Sequence, residues 1–322
     1  MTKENSGSGL SAAERVGLVI DGTNAAAAVN TFAAAEAAGV RQIWMAQPPF
    51  WPDTLTTLAA AATKTSTIHL GTSIVPTYPR HPLVLAQQAL SLYDMAPDRF
   101  RLGIGPSHQA IIEGIYGLPH TTPLAHLREY VNVLRTALWD GKVDHHGKFF
   151  NVKVTLPHTA QVPVLISTLG VKAFQLAGEI ADGALSWVCP IQYLIRTGIP
   201  VLRTAAAAAN RQSVPPLVAH ISVALSQDRD SVLAAGRQSL DMYSKFPFYA
   251  KMFSDAGFPL TAGQMISESL VDSLIVSGNE DTVAIQFTEL LAAGLDELMV
   301  TLVPIKDAAD EFMRLMRLIG QL

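Results

Sequence analysis

Two glycine-containing stretches hold the side chains best placed for chemistry. The first, LGTSIVP (Leu70–Pro76), ends an apolar run with the hydroxyl residues Thr72 and Ser73 and then a proline. Glycine and proline fit regular strand pairing poorly, so the backbone is expected to bulge here and expose N–H and C=O groups. Such groups suit the edge of a planar, flavin-like heterocycle. An ordinary strand end followed by a turn is the alternative.

The second stretch, RFRLGIGPSHQ (Arg99–Gln109), places Gly103 and Gly105 one residue apart at the end of another predicted strand. Glycine at this spacing is typical of backbone that passes close to another group. Ser107 and His108 follow in the loop. A neutral His108 could hydrogen-bond a polar ring edge or relay a proton near neutral pH. The alternative is a histidine that is simply packed or solvated.

A third candidate is ISTLG (Ile166–Gly170), which ends a predicted strand and leads into a helix. The free backbone N–H groups of a helix N-terminus can bind a phosphate without a cationic side chain. Lys172, in the first turn, would add a positive charge. A tight turn between strand and helix with no ligand is the alternative.

Other chemistries lack their motifs. No G-x-G-x-x-G, G-x-x-x-x-G-K-[ST] or G-x-S-x-G sequence occurs. His145 and His146 follow Asp144, but adjacent strand residues point to opposite faces and no third ligand has suitable spacing, so no metal site is predicted. The single cysteine, Cys189, has no disulfide partner in the chain, which favours a reducing compartment and a cytoplasmic location.

Composition narrows the class of ligand. The 322 residues are 49% hydrophobic and 16% charged, which indicates a packed globular protein. A net charge of −4 gives no basic field for nucleic acid or an anionic membrane, so a small molecule is the expected partner. The first 15 residues lack the apolar run of a signal peptide, and no stretch is long and apolar enough to anchor the chain in a bilayer.

Short apolar runs alternate with helical patterns along the whole chain. This alternation predicts a single (β/α)8 TIM barrel over residues 16–322, with insertions in its C-terminal half and a flexible tail over residues 1–15. A helical insertion is expected at Asp230–Ala256. The site of such a barrel lies at the C-terminal ends of its strands. The predicted strands are Val16–Ile20, Gln42–Met45, Ile68–Val75, Phe100–Ile104, Val164–Ser167, Gly183–Val188, Leu217–Leu225 and Leu295–Val303.

Several of these motifs together resemble the bacterial luciferase-like superfamily. They are Leu70–Ala89, Asp98–His108, His126–Arg135 and Ala177–Trp187, and the resemblance extends from Val16 to Leu318. Within the superfamily, the R-H-P after the third strand, G-I-G-x-S-H, and the Ala46-Gln47 pair resemble oxidoreductases that use the deazaflavin coenzyme F420.

The resemblance implies a (β/α)8 barrel that holds a tricyclic ring at the C-terminal ends of its strands. It implies a non-prolyl cis peptide at Ser73–Ile74 behind the ring, a phosphate near Thr168–Val171, and a substrate-covering loop over Ile111–Pro123. It also implies a homodimer. The cofactor-binding residues implied are Gln47, Thr72, Ser73, Ile74, Gly105, Pro106, Ser107, His108, Thr168, Leu169, Gly170 and Val171.

One departure from the family pattern bears on the reaction. Several deazaflavin dehydrogenases carry an Asp-His pair after the second strand, where this chain has Gln47 and Pro48. Because proline cannot act as a base, reduction of a polarised C=C or C=N bond is expected instead of alcohol oxidation. His108 and Glu113 are the candidate proton donors. Two alternatives stay open: a monooxygenase that uses flavin mononucleotide (FMN), and a barrel without a cofactor.

Overall fold

The computed structural model describes residues 10–260 and 265–322. Eight parallel strands form a closed barrel, because the last strand pairs with the first, and this confirms the predicted (β/α)8 fold. Strands and helices are numbered in chain order. The barrel strands are β1 (Val16–Ile20), β2 (Gln42–Met45), β3 (His69–Thr72), β5 (Phe100–Gly105), β8 (Val164–Thr168), β9 (Gly183–Ser186), β10 (Leu217–Ala224) and β12 (Glu297–Leu302).

Four further strands lie outside this ring. They are β4 (Val75–Pro76), β6 (Lys142–His146), β7 (Asn151–Thr155) and β11 (Ile275–Ser277). The pair β6 and β7 forms an antiparallel hairpin. Strand β11 extends the sheet beside β10 and was not predicted, since three residues carry too little pattern. The segment Ile68–Val75, predicted as one strand, is divided into β3 and β4.

Helices surround the barrel, and several of them begin directly after a residue whose side chain caps the first turn. Asn24 and Asp53 accept hydrogen bonds from the first turns of the helices that follow them, as their types favour. The helices are α1 (Ala12–Arg15), α2 (Ala25–Ala37), α3 (Thr54–Ala62), α4 (Pro82–Met95), α5 (Gln109–Gly114), α6 (Pro123–Arg135), α7 (Val171–Ile180), α8 (Ile191–Tyr193), α9 (Ile199–Ala208), α10 (Arg229–Ser244), α11 (Pro247–Asp255), α12 (Glu268–Asp272), α13 (Glu280–Ala292) and α14 (Ala308–Gly320). None is long and apolar enough to cross a membrane within the residues described.

The predicted tail divides into two parts. Residues 1–9 lie outside the described residues, whereas α1 forms a helical turn directly before β1. Ser11 and Glu14 make reciprocal capping bonds on this turn. Arg15 donates to the carbonyl oxygens of Leu295 and Asp296, both at 2.7 Å. Residues 12–15 are therefore tied to the barrel.

The helical insertion predicted over Asp230–Ala256 consists of two helices. Helix α10 ends at Ser244 and α11 starts at Pro247. Proline lacks the N–H that would continue the first helix and disfavours helical backbone at the preceding residue, so the chain bends at Phe246. This bend matters for the site described below.

Side chains of alternate strand residues fill the barrel. Its middle is a cluster of Trp44, Leu165, Leu185, Val218 and Met299, each at most 2% exposed. Below them, the guanidinium of Arg101 lies over the Trp44 ring at 4.5 Å and donates to both carboxylate oxygens of Glu297 at 2.7 and 2.9 Å. This buried ion pair closes the N-terminal end of the barrel, leaving the other end for a ligand.

Candidate functional site

The chain between β3 and β4 forms the predicted bulge. The Ser73–Ile74 peptide bond is cis, as the family resemblance implied. The N–H of Ser73 donates to the Met45 carbonyl at 2.8 Å, and the N–H of Gln47 donates to the Ile74 carbonyl at 3.2 Å. Irregular backbone is thus held against the end of β2, which fixes the position of both residues at the mouth of the barrel.

Thr72 belongs to the packing of this bulge. Its hydroxyl donates to the Gly103 carbonyl and accepts from the Gly103 N–H, both at 2.8 Å. The side chain is completely buried, and its hydroxyl links β3 to β5 where direct strand pairing stops. The hydroxyl of Thr72, which was predicted among the cofactor-binding residues, is thus bonded within the fold to the backbone of Gly103.

The uppermost inward-facing residues form the floor of the site. Side chains of alternate strand residues point to the same side, so five residues point into the barrel as the interior cluster does and lie nearer the C-terminal ends of the strands. They are Gly105, Ser167, Trp187, His220 and Thr301. A side chain at Gly105 would overlap the hydroxyl of Ser167. The lack of a side chain at Gly105 therefore leaves space for the Ser167 side chain and for a ligand at the C-terminal end of the barrel.

His220 and Trp187 are part of a network that was not predicted as functional. The two rings stack at 4.0 Å, and His220 Nε2 lies 2.9 Å from the Thr301 hydroxyl. Trp187 in turn donates to the Tyr243 hydroxyl of α10 at 2.8 Å. Complete burial lowers the pKa of His220 to about 3, so its imidazole is neutral. The sequence signal that could have identified these residues is their position towards strand ends, on the side of each strand that faces the barrel interior.

His108 lies under the bend of the insertion. Its imidazole stacks on Phe246 at 4.3 Å with the rings nearly parallel, and Tyr249 packs beside it at 5.6 Å. Burial, with a smaller effect from His120, lowers the pKa of His108 to about 4, so the ring is uncharged near neutral pH. Ser107 precedes it in left-handed backbone with φ of +60°.

Four buried polar atoms around the ends of β3, β4 and β5 have no hydrogen-bond partner among the described residues. They are Ser73 Oγ, Thr77 Oγ1, His108 Nδ1 and His120 Nε2. Buried polar atoms are almost always paired, so a group of unpaired ones points to a missing ligand or ordered water. A heterocycle with donors and acceptors along its edge fits such a set.

The predicted phosphate site has the form that backbone binding requires. Gly170 precedes α7, no side chain caps that helix, and a Cβ added at Gly170 would meet nothing within 4 Å. The side chain of Thr168 is turned away, since its hydroxyl donates to the Leu185 carbonyl at 3.2 Å. The carbonyl of Leu169 accepts from the Tyr193 hydroxyl. The N–H groups at Gly170 and Val171 are therefore the parts that suit a phosphate.

The remaining candidates have structural roles. Gln47 Oε1 accepts from the Thr54 N–H at 2.5 Å at the start of α3, and its Nε2 donates to the Pro48 carbonyl. Glu113 is exposed and accepts from Gln109 and from the backbone N–H of His120, so it closes the loop that contains α5. The last four residues of α5 lie inside Ile111–Pro123, which the family resemblance implied to be a loop. Within 10–260 and 265–322, no group of three potential metal ligands occurs.

Comparison with known proteins decides the family. The luciferase-like monooxygenase model matches residues 4–297. The chain belongs to this family. Among its relatives is a Mycobacterium tuberculosis protein provisionally named as a coenzyme F420-dependent oxidoreductase, 27% identical over 314 residues, which cover 84% of this chain and 88% of the relative.

Solved structures that share this fold differ in their cofactor. The coenzyme F420-dependent tetrahydromethanopterin reductase of Methanopyrus kandleri aligns with a TM-score of 0.79 and 22% identity, covering 95% of this chain and 97% of the other. The oxygenating constituent of the 3,6-diketocamphane monooxygenase of Pseudomonas putida, solved with FMN, aligns with a TM-score of 0.71 and 17% identity, covering 96% and 97%. The luciferase-like fold therefore does not by itself select the cofactor.

Proposed function

We propose that the chain is a coenzyme F420-dependent oxidoreductase that reduces a polarised C=C or C=N bond of a small molecule. The observation that carries this proposal is the set of four unpaired buried polar atoms around the bulge, on the barrel face where a tricyclic ring would lie. The F420-related name of the mycobacterial relative supports the choice of cofactor.

The residues present fit a deazaflavin with a phosphate-bearing side chain. Ser73 and Ile74 would lie behind the ring, Gly105 to His108 along its edge, and Gly170 and Val171 at the phosphate. A reduced deazaflavin supplies the hydride, and the protein supplies binding, orientation and exclusion of water. The stacked rings of His108 and Phe246 would lie beside the edge of the bound ring.

The residues after β2 support reduction over alcohol oxidation. Alcohol oxidation needs a group that accepts the hydroxyl proton. Gln47 is engaged with the start of α3 and Pro48 has no ionisable group. His108, neutral at physiological pH, can orient a polar group of the substrate by hydrogen bonding. These residues favour reduction of an unsaturated substrate.

The test of the proposal is a parallel titration of the purified apoprotein with oxidised coenzyme F420 and with FMN. We expect micromolar or tighter binding of the deazaflavin, read by fluorescence quenching and calorimetry, with FMN at least about tenfold weaker. Enones and imines are then assayed as hydride acceptors by the return of deazaflavin absorbance.

The alternatives give different results in the same experiment. Preferential binding of FMN, with oxygen consumed by the reduced holoprotein, would assign the chain to the oxygen-activating members of the family. Binding of neither cofactor would identify a barrel without one. Deazaflavin has carbon at position 5 and reacts poorly with oxygen, so oxygen uptake separates the first two outcomes.

The imidazole of His108 is expected to contribute one hydrogen bond to the cofactor. The His108→Phe variant keeps the stack on Phe246 and removes the unpaired Nδ1. One hydrogen bond corresponds to about a tenfold weaker Kd for F420, measured by fluorescence titration. The control is His158→Phe, whose exposed ring pairs with Asp94. An unchanged Kd in His108→Phe would show that this imidazole does not contact the ring.

A further inference from the structure

A small cleft opens beside the bulge. It is lined by Gln47, Pro76, Pro79, Arg80 and Tyr116. Gln47 is bonded through its N–H to Ile74, and Pro76 lies opposite Gly105 in the strand register. The cleft therefore adjoins both segments that frame the proposed ring position, and four of its five lining residues carry no charge.

Arg80 is the charged residue of this cleft, and several contacts hold it in place. Its carbonyl accepts from the Tyr130 hydroxyl at 2.9 Å, and its N–H donates to the Thr77 carbonyl at 3.4 Å. Its Nη2 donates to Asp53 Oδ2 at 2.6 Å. The Arg80 side chain is 19% exposed, so it is positioned by the fold and still open to a ligand.

The ion pair leaves most of the guanidinium unused. Of the five N–H donors of arginine, Asp53 engages one on Nη2, and the side chain has no other hydrogen-bond partner among the described residues. The other carboxylate oxygen of Asp53 accepts from the N–H and hydroxyl of Thr56 at the start of α3. The negative charge of Asp53 is thus shared with a helix N-terminus, and Arg80 keeps donors and charge for a second partner.

We propose that Arg80 binds an anionic group of the substrate, and that the substrate is an unsaturated carboxylic acid whose carboxylate enters this cleft. The planar fork of arginine matches a carboxylate with two parallel hydrogen bonds. Its position beside Ile74 and Gly105 places the carboxylate next to the ring. The assignment of this anion to a substrate rests on the proposed hydride transfer, whereas the anion site itself does not.

The experiment compares benzoate with its neutral analogue benzamide as probes. Each is titrated calorimetrically into the full-length apoprotein and into the protein saturated with F420. We expect benzoate to bind about tenfold more tightly than benzamide in both forms, since a charge-assisted bidentate contact exceeds a neutral hydrogen bond. The preference is expected to vanish in Arg80→Met and to persist, with weaker benzoate binding, in Arg80→Lys.

Arg128→Met is the matched control, because Arg128 pairs with Glu179 on the outer surface and its loss changes the net charge equally. Equal affinities for benzoate and benzamide in the wild type, or unchanged benzoate affinity in Arg80→Lys and Arg80→Met, would overturn the proposal. Competition between benzoate and F420 would place Arg80 in the cofactor site and overturn its assignment to the substrate. Failure of F420 to bind would reject the proposed function alone, since the apoprotein titration still decides the anion site.

Discussion

Acidification from pH 6.5 to 4.5 is expected to lower the free energy of unfolding by about 4 kcal/mol through two histidines. Burial lowers the pKa of His126 to about 4 and that of His220 to about 3, from an ordinary value near 6.5. The unfolded chain therefore binds more protons in this range than the folded chain. Stability is fully present above pH 6.5 and is lost as the pH falls.

The measurement is urea unfolding at half-unit pH intervals for the wild type and His126→Phe. Phenylalanine keeps the stack on Tyr78, 4.1 Å away, and removes the titrating group. Its slope should be smaller by about 1.4 kcal/mol per pH unit. The buried carboxyls of Asp182 and Asp296, whose pKa values burial raises, act in the opposite direction and cancel in this comparison.

The control for the pH series is His146→Asn, since His146 is an exposed hairpin residue that stays hydrated in both states. Its profile should follow that of the wild type. If the unfolding free energies of the wild type and His126→Phe have the same slope against pH, His126 is not held neutral by burial. That result would also count against the neutral His108 that the proposed function uses.

Gly103→Ala is expected to lower the free energy of unfolding by about 3 kcal/mol. A Cβ at Gly103 would overlap the carbonyl oxygen of Thr72 and the side chain of Leu185. The Thr72 carbonyl oxygen is a backbone atom, and the two hydrogen bonds between the Thr72 hydroxyl and Gly103 hold this backbone against β5, so it cannot shift to relieve the overlap. Urea unfolding at pH 7 measures the change.

Two other glycines make this prediction specific. A Cβ at Gly114, at the end of α5, would meet nothing within 4 Å, so Gly114→Ala should be neutral or stabilising by up to about 1 kcal/mol. Gly105→Ala would overlap the Ser167 hydroxyl, a side-chain atom that can rotate away, and should cost about 1 kcal/mol. Equal stability in Gly103→Ala and Gly114→Ala would contradict the packing described between β3 and β5.

Local patterns in the sequence determined the barrel. Seven of the eight predicted barrel strands agree with the observed ones within two residues at each end, because a buried parallel strand is a short apolar run bounded by turns. Capping residues such as Asn24 and Asp53 mark helix starts, since their side chains accept hydrogen bonds from the first turn of the helix that follows them. The segments that surround the candidate site were indicated by glycine and proline at a strand end in Leu70–Pro76 and by two closely spaced glycines in Gly103–His108.

Tertiary structure decided which side chains in those segments face a ligand. The stack of His108 on Phe246 and the pairing of Arg80 with Asp53 join residues 138 and 27 positions apart, and no local pattern records such contacts. Thr72 was predicted to bind the cofactor, yet its hydroxyl is used by Gly103. A sequence sets the backbone through interactions between near neighbours, whereas the partner of each polar atom depends on which distant segments the closed barrel brings together.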